Sequence, residues 1–363
     1  MIDSLVDGVY ITDTERRILL WNKAAERITG WSAGEVVGRT CYDNVLCHVD
    51  KDEHPLCGEE HCPLHRSVVT GMASEEPLLL FAGHKAGHRV PVEVSVAPLR
   101  NKSGEIVGGI EMFRDASVSV HDMLRAKKIQ ELAFKCEGLD DPRFEIEVCH
   151  QAYDLVGGDF YRAEQLEDGR MTILVADVMG HGVSAALYTM YLASLWDQFR
   201  EKVESPSQIL AELNRRLHPV AVEAGFFATA VLSHYDPQSG ALSVARAGHP
   251  APLVFRTGGG ETEPVGSAHP ALGMLPEADY SESSLSLAPG DTVLFFTDGA
   301  TEVCDAEDRE LGVDGLQRLA LALAAEDPEH TFHLGPLEEQ LLTFSNQLQL
   351  PDDLTLFKLR RTR

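Results

Sequence analysis

Acidic residues beside glycine at the ends of short apolar strands constrain the fold of this 363-residue chain most strongly. Asp177 ends the predicted strand 173–176, and Asp298 follows the predicted strand 292–297. Glycine beside a strand end leaves room for a ligand to approach the backbone closely. Similar settings recur elsewhere, and the full set is Asp159, Asp177, Asp298, Asp352 and Asp353. The pattern predicts carboxylates gathered at a sheet edge.

The donor type of these positions indicates a hard cation. One Asp-Gly pair is usually only a turn, but four such positions in one domain, with Asp352 and Asp353 counted as one, are difficult to explain as turns. Carboxylates without a neighbouring set of Cys and His suit Mg²⁺ or Mn²⁺, and without metal they would repel one another. Two such ions, about 3.5–4 Å apart, can bind a phosphate and activate water for attack on phosphorus.

The region that carries these acids combines many predicted strands with few helices. Helices are predicted at residues 184–199 and 206–217. The predicted strands are 173–176, 228–233, 242–247, 292–297 and 354–359. This composition fits two packed sheets with helices outside them.

Six motifs in this region closely resemble, in the same order, the SpoIIE-like branch of the PPM-type protein phosphatases. They are VGGDFY at 156–161, ADVMGHG at 176–182, FATA at 227–230, AGHPAPL at 247–253, PGD at 289–291 with FTDG at 296–299, and DDLT at 352–355. The resemblance covers nearly all of residues 141–363. It implies a β-sandwich flanked by helices and a serine/threonine phosphatase that uses two Mn²⁺ or Mg²⁺ ions.

The same resemblance implies a role for each acid. Asp177 would bridge both metals, and the backbone carbonyl of Val178 would ligate the first. Asp298 and Asp352 would hold the second metal, and Asp159 would contact the first through water. These four aspartates are therefore the expected catalytic acids.

Other polar residues in the motifs have less certain assignments. Asp353 is included among the metal residues, although a role in orienting its loop is favoured. Arg162 stands where the family usually has an acid, and a solvated surface charge is favoured over a contact with substrate phosphate. His181 is interpreted as structural or electrostatic, because the family accepts Lys there, and a catalytic role for His249 is the less favoured alternative.

Residues 1–116 are predicted to form a small α+β domain. Strands are predicted at 5–12, 18–21, 91–98 and 106–113, and a helix at 22–29. Motifs at 7–9, 21–26, 29–31, 35–38 and 87–94 resemble those of a PAS domain. The resemblance implies a sensor that binds a small ligand or a partner and passes a signal to the attached domain.

Four cysteines and four histidines lie between residues 41 and 65 of this predicted sensor. The cysteines are Cys41, Cys47, Cys57 and Cys62. Zinc, an iron–sulfur cluster and a redox-active thiol pair all remain open. A metal or redox role is favoured over a polar loop with unliganded thiols, because this density of ligand side chains is unusual.

A helical linker is predicted at 117–140, between the sensor at 1–116 and the phosphatase domain at 141–363. Apolar residues recur there at helical spacing, with basic residues between them. The helix could pair with its copy in a homodimer formed through the PAS domain and the linker, or it could pack on its own domain. The repeat is too short to decide.

Bulk properties exclude several classes of protein. The formal net charge of −26 argues against a nucleic-acid partner, since phosphate backbones are bound by Lys and Arg. No stretch approaches the roughly 20 apolar residues of a membrane-spanning helix, and the start has no signal peptide. We therefore expect a cytoplasmic protein without membrane contact. Seven cysteines, an odd number, argue against a disulfide framework.

The resemblances together predict a signal-regulated protein phosphatase. They imply a phosphorylated STAS-domain anti-sigma-factor antagonist as substrate, and hence regulation of a sigma factor. One alternative is a catalytically silent docking module, which a missing core acid would indicate, and none is missing. The other is a hydrolase of a small phosphorylated metabolite, which only a comparison of substrates separates from the main hypothesis.

Overall fold

The computed structural model describes residues 2–58, 61–74, 77–137, 139–200, 205–257, 263–327, 330–345 and 350–363. The chain divides into two compact units, Met1–Arg125 and Ala126–Arg363. Within the described ranges, none of the helices is both long and apolar enough to cross a lipid bilayer.

The first unit is built on one antiparallel sheet with the strand order β2-β1-β5-β4-β3. Its elements are β1 (Gly8–Thr12), β2 (Ile18–Trp21), α1 (Lys23–Thr29), α2 (Ala33–Val36), α3 (Pro63–Thr70), β3 (Leu78–Gly83), β4 (Arg89–Arg100), β5 (Ile106–Asp115) and α4 (Ser117–Glu131). The unit boundary falls inside α4. Asn22 caps α1, since its side chain accepts a hydrogen bond from the Ala25 N–H at 2.8 Å.

The second unit packs two sheets face to face. Its elements are β6 (Lys135–Glu137), β7 (Phe144–Gln151), β8 (Asp159–Gln165), β9 (Met171–Val178), α5 (Val183–Phe199), α6 (Pro206–Ala224), β10 (Ala228–Tyr235), β11 (Ala241–Ala247), β12 (Leu253–Phe255), β13 (Glu263–Pro264), β14 (Glu282–Ser286), β15 (Thr292–Phe296), α7 (Gly312–Glu326), α8 (Leu334–Ser345) and β16 (Leu354–Arg361). The sheet orders are β14-β11-β10-β9-β8-β6 and β13-β12-β15-β16-β7.

Apolar residues fill three layers of this second unit. Val175 and Val231 of the first sheet meet Phe295 and Phe357 of the second in the central layer. The helices α5 and α6 pack on the outer face of the first sheet, and α7 and α8 pack on the second. Strand β9 is apolar almost throughout because both of its faces are covered. The predicted α+β class and the helix-flanked β-sandwich are confirmed.

The segment predicted as a helical linker at 117–140 is shorter as a helix than expected. Helix α4 ends at Glu131, where the Ala133 N–H donates to the Gln130 carbonyl at 2.8 Å and tightens the last turn. Residues Lys135–Glu137 then form β6, which pairs in parallel with β8. Edge pairing with the sandwich therefore takes the place of the last part of the predicted helix.

Candidate metal centre

Two of the predicted acids face each other across neighbouring strands. Asp159 begins β8, Asp177 is the penultimate residue of β9, and the antiparallel register places them directly opposite each other. The Cβ atoms of directly opposed residues lie about 4.5–5.5 Å apart. Asp159 is only 1% exposed. The register of one hairpin thus brings two carboxylates together at one end of the sheet.

The second sheet holds Asp159 through two hydroxyl groups. Thr297 at the end of β15 donates to Asp159 Oδ2 at 2.8 Å, and Thr355 at the start of β16 donates to the same oxygen at 2.7 Å. Thr297 also accepts a hydrogen bond from the Thr355 N–H at 2.9 Å. One carboxylate oxygen of Asp159 is therefore fixed by the facing sheet.

Asp298 and Asp352 lie at the corresponding end of the second sheet. Asp298 follows β15 and Asp352 precedes β16, and these two strands are antiparallel neighbours. Burial is the main cause of the raised pKa of Asp177, and the negative charges of Asp298, Asp352 and Asp353 raise it further. Burial, followed by the charge of Asp352, likewise raises the pKa of Asp298. The structure thus brings the four predicted acids together.

Asp353 uses both of its carboxylate oxygens on the loop before β8. Its Oδ1 accepts the Tyr153 N–H at 2.7 Å, and its Oδ2 accepts the Gly158 N–H at 2.5 Å. The side chain is almost fully buried. In this position Asp353 holds the loop that ends at Asp159, whereas Asp352 accepts from the Asp353 N–H at 2.8 Å and stays exposed.

Glu302 is an acid of this region that the sequence analysis missed. Burial raises its pKa, and the charge of Asp298 is the next cause, followed by Glu310 and Asp352. The Glu302 N–H donates to the Asp298 carbonyl at 2.8 Å, one turn further along the chain. Glu302 follows Asp298 by four residues, and this spacing was the signal in the sequence that could have identified it.

The residues present fit divalent cations. Carboxylate and carbonyl oxygens are the only kinds of donor in the set described above, and these suit Mg²⁺ or Mn²⁺. A Cβ atom on Gly158 would lie 2.5 Å from the Val178 carbonyl oxygen and 2.8 Å from that of Gly180, so the backbone is closely packed around the Val178 carbonyl, the predicted backbone ligand. Among the described residues, no three of these acids place ligand atoms within 4.8 Å of one another. No compact three-carboxylate site is therefore formed among the acids described.

The crowding of acids predicts that the metal-free protein gains stability when one is neutralised. A carboxyl group whose pKa is raised on folding stabilises the fold when protonated, and this contribution is lost as the pH rises above about 4. Asp177→Asn should therefore raise the melting temperature of EDTA-treated protein at pH 8 by at least about 2 °C. Calorimetry should show the difference shrinking toward pH 5. Equal melting temperatures at pH 8 would contradict the electrostatic account.

Gln130, near the end of α4, contacts the glycine pair that precedes Asp159. Its Nε2 donates to the Gly157 carbonyl at 2.7 Å and to Thr189 Oγ1 at 3.0 Å, and its Oε1 accepts the Gly157 N–H at 3.3 Å. Gln130 is 5% exposed. Its position in the sequence did not identify Gln130 as a site residue. In the structure, its buried amide connects α4, α5 and the loop of the candidate centre.

Loss of these hydrogen bonds is expected to impair catalysis more than folding. Gln130→Ala should lower kcat/KM by about 10–100-fold, the usual effect of removing an outer partner of metal ligands. Gln198→Ala is the matched control, because this exposed glutamine donates to the Ser194 carbonyl within α5. Steady-state phosphate release measures both. Wild-type activity in Gln130→Ala would show that this contact does not position the centre.

Arg162 is neither a solvated surface charge nor free to meet phosphate, so both interpretations of this residue are corrected. It is 4% exposed, and its guanidinium lies 3.2 Å from Glu164 and 2.5 Å from Asp197. Its Nε donates to the Ala133 carbonyl at 2.6 Å. This side chain can be buried because the Ala133 carbonyl and Asp197 on α5 supply an acceptor and a counter-charge.

The two motif histidines have different surroundings. His181 Nδ1 lies 2.6 Å from Asp154 Oδ2, and this hydrogen bond is the main cause of its raised pKa. His249 is buried beside Thr229, with 2.8 Å between Nδ1 and Oγ1. Burial lowers the pKa of His249 to about 3, so its ring is neutral near pH 7 and is a poor proton donor.

The predicted sensor cysteines separate into two groups. Cys41 and Cys62 are buried in the core of the first unit, and Cys57 accepts a hydrogen bond from the His48 N–H at 3.0 Å. The Cys47 thiol instead donates to the Tyr42 carbonyl at 3.6 Å.

Family comparisons agree with both units. The family model described as Stage II sporulation protein E (SpoIIE) matches residues 167–362, and the model described as PAS fold matches residues 2–121. The chain is 31% identical to the phosphoserine phosphatase RsbP of Bacillus subtilis (strain 168) over 180 residues, 49% of this chain and 44% of RsbP. It is 24% identical to the phosphoserine phosphatase RsbU of the same organism over 312 residues, 85% of this chain and 88% of RsbU.

Solved structures share the fold. The SiaA-PP2C domain of Pseudomonas aeruginosa superposes with a TM-score of 0.57 at 24% identity, covering 68% of this chain and 98% of that domain. The PP2C phosphatase domain of SpoIIE from Bacillus subtilis, with a fragment of its regulatory domain, gives a TM-score of 0.51 at 16% identity, covering 79% and 80%. Since the SpoIIE model matches more than half of its residues, this chain belongs to the SpoIIE family and carries a SpoIIE-type PP2C phosphatase domain after a PAS-fold domain.

Proposed function

We propose that this chain is a signal-regulated, metal-dependent protein serine/threonine phosphatase. The observation that carries the proposal is the convergence of Asp159, Asp177, Asp298 and Asp352 at the ends of facing strands. When bound there, Mn²⁺ or Mg²⁺ would neutralise the phosphate oxygens and acidify water for attack on phosphorus. Membership of the SpoIIE family supports the same activity.

Each acid has a separate task in this proposal. Asp177, the Val178 carbonyl and Asp159 would hold one ion, and Asp177, Asp298 and Asp352 would hold the other. The two threonine hydroxyls on Asp159 Oδ2 fix its orientation, so that the carboxylate needs little reorganisation during the reaction.

Residues around the acids keep the centre in shape. Asp353 anchors the backbone of Tyr153 and Gly158, and Gln130 anchors Gly157 from the other side. Catalytic geometry therefore depends on α4, which adjoins the PAS-fold unit in the chain. A signal that alters α4 would change the position of Asp159, which is how we propose that sensing regulates the reaction.

We propose that the substrate is phosphoserine or phosphothreonine on a STAS-domain anti-sigma-factor antagonist. The support is the family resemblance and the relation to RsbP and RsbU, both of which are named phosphoserine phosphatases. Release of phosphate from such a protein would change its pairing with an anti-sigma factor, and so the availability of a sigma factor.

A comparison of substrates tests this assignment. The kcat/KM values of the full chain with Mn²⁺ are measured on a phosphorylated STAS-domain protein, a phosphoserine peptide of the same local sequence, and a set of sugar phosphates. We expect the folded phosphoprotein to exceed the others by at least about 100-fold, because a docked surface positions the phosphate. A preference for a sugar phosphate would indicate a metabolite hydrolase, and binding without turnover would indicate a docking module.

A further inference from the structure

Six polar side chains, five of them buried and Cys57 half-buried, converge in the core of the PAS-fold unit. They come from β1, from β5 and from the segment 41–62 between α2 and α3, and they are Tyr10, Cys41, His48, Cys57, Cys62 and Glu111. Tyr10, Cys41 and Cys62 pack within the hydrophobic core of the unit. So many donor atoms in apolar surroundings call for an explanation, because buried polar groups are normally paired.

Glu111 and His48 each keep one polar atom without a hydrogen-bond partner among the described residues. Glu111 is 2% exposed; its Oε2 accepts from the Tyr10 hydroxyl at 2.9 Å, but its Oε1 has no such donor. His48 is 5% exposed, and its Nε2 lies 3.7 Å from that Oε1, too far for a hydrogen bond. Each unpaired buried atom costs about 1–3 kcal/mol, so this facing pair indicates a ligand between or beside them.

The thiols beside this pair are suited to a metal. Cys41 is 4% and Cys62 is 6% exposed, and both lie in the hydrophobic core cluster of the unit. Cys57 lies beside His48, whose N–H donates to its sulfur atom at 3.0 Å. Sulfur and imidazole donors of this kind bind zinc, the thiols in their deprotonated form.

Cys47 differs from the other cysteines of this segment in its backbone conformation and its hydrogen-bond partner. Cys47 has φ +41°, a conformation that residues other than glycine rarely adopt and that is retained mainly at functional positions. The next residue, His48, is buried, whereas the Cys47 thiol bonds to the Tyr42 carbonyl. Cys47 therefore stands outside the ligand set despite its place in the cysteine-rich segment.

We propose that the PAS-fold unit binds one zinc ion through the sulfur atoms of Cys41, Cys57 and Cys62 and through Nε2 of His48. Three cysteines and one histidine form a common set for closed, tetrahedral zinc sites. Binding releases three thiol protons to solvent. No three of these ligand atoms lie within 4.8 Å of one another in the described part of the chain. Zn–S bonds of about 2.3 Å therefore require these four side chains to move closer together on binding, which couples zinc occupancy to sensor conformation.

Metal content and cobalt spectroscopy of the full chain test this proposal. Protein purified without chelator and supplied with Zn²⁺, then freed of loosely bound metal, should retain about one zinc per chain. Replacement by Co²⁺ should produce a near-ultraviolet thiolate-to-cobalt charge-transfer band. The phosphatase acids cannot produce this band, because all their donor atoms are oxygen.

Matched cysteine variants decide whether the named residues hold the ion. Cys57→Ser and Cys62→Ser should each lose the zinc and the cobalt band, whereas Cys47→Ser and Cys136→Ser should retain both. Circular dichroism checks that the variants are folded, and the wild-type cobalt band is decisive even if they are not. The proposal is overturned if the wild type retains no zinc, holds iron with visible absorbance, carries a disulfide within the group, or keeps its cobalt band in Cys62→Ser.

Discussion

Replacement of Asp177 by Asn is expected to lower kcat/KM on a phosphoserine substrate by more than about 100-fold at saturating Mn²⁺. Loss of an outer partner of a metal ligand already costs about 10–100-fold, and Asp177 is the residue proposed to bridge both ions. Asparagine keeps the shape of the side chain but removes the charge, so the effect reports on metal binding rather than on packing. Phosphate release across a series of Mn²⁺ concentrations measures the change.

A second aspartate serves as the matched control for this substitution. Asp314 is exposed in the first turn of α7 and is not one of the residues at the strand ends that carry the acids. Asp314→Asn should leave kcat/KM within about two-fold of wild type, since surface substitutions of this kind have small effects. If Asp177→Asn retained more than a tenth of the wild-type activity, the assignment of Asp177 as bridging ligand would be wrong.

Gly158→Ala is expected to inactivate the protein through backbone crowding alone. The added Cβ atom would lie 2.5 Å from the Val178 carbonyl oxygen and 2.8 Å from that of Gly180. Backbone atoms at these distances must move, and overpacking of this kind typically costs about 1–3 kcal/mol of stability. Because the Val178 carbonyl is a proposed metal ligand, a displacement of about 1 Å should lower kcat/KM about 100-fold.

Gly335 provides the contrasting case in the same unit. It lies in α8, and an added Cβ atom there meets no heavy atom within 4 Å. Gly335→Ala should keep full activity and raise stability by up to about 1 kcal/mol, since alanine favours the helix. Equal activity of the two variants would show that the close approach at Gly158 does not matter for the centre.

The positions of the acids were predictable because strand ends determine where side chains meet. The sequence places Asp298 after one strand and Asp352 before another, and the antiparallel pairing of these strands in the structure brings both to one edge. Local patterns of this kind identify residues whose neighbours are set by the geometry of a hairpin.

Other features depend on contacts that no local pattern records. Gln130 meets Gly157 from 27 positions away in the chain, and Arg162 is buried because Asp197 on α5 supplies a counter-charge. Helix α3 was not predicted, although Pro63 in its first turn is a typical start signal. The cysteines and histidines around Pro63 were interpreted as possible ligands, and no helix was predicted there.

Phosphate release shows whether the clustered carboxylates form a metal-dependent phosphatase centre. Full-length wild-type protein is stripped with EDTA, and release from a phosphoserine protein is followed as Mn²⁺ is added back. We expect no turnover without metal and saturable turnover with it. We expect the metal-dependent turnover to be lost in Asp177→Asn. Phosphate release that continues in EDTA, or that is unchanged in Asp177→Asn, would contradict these expectations.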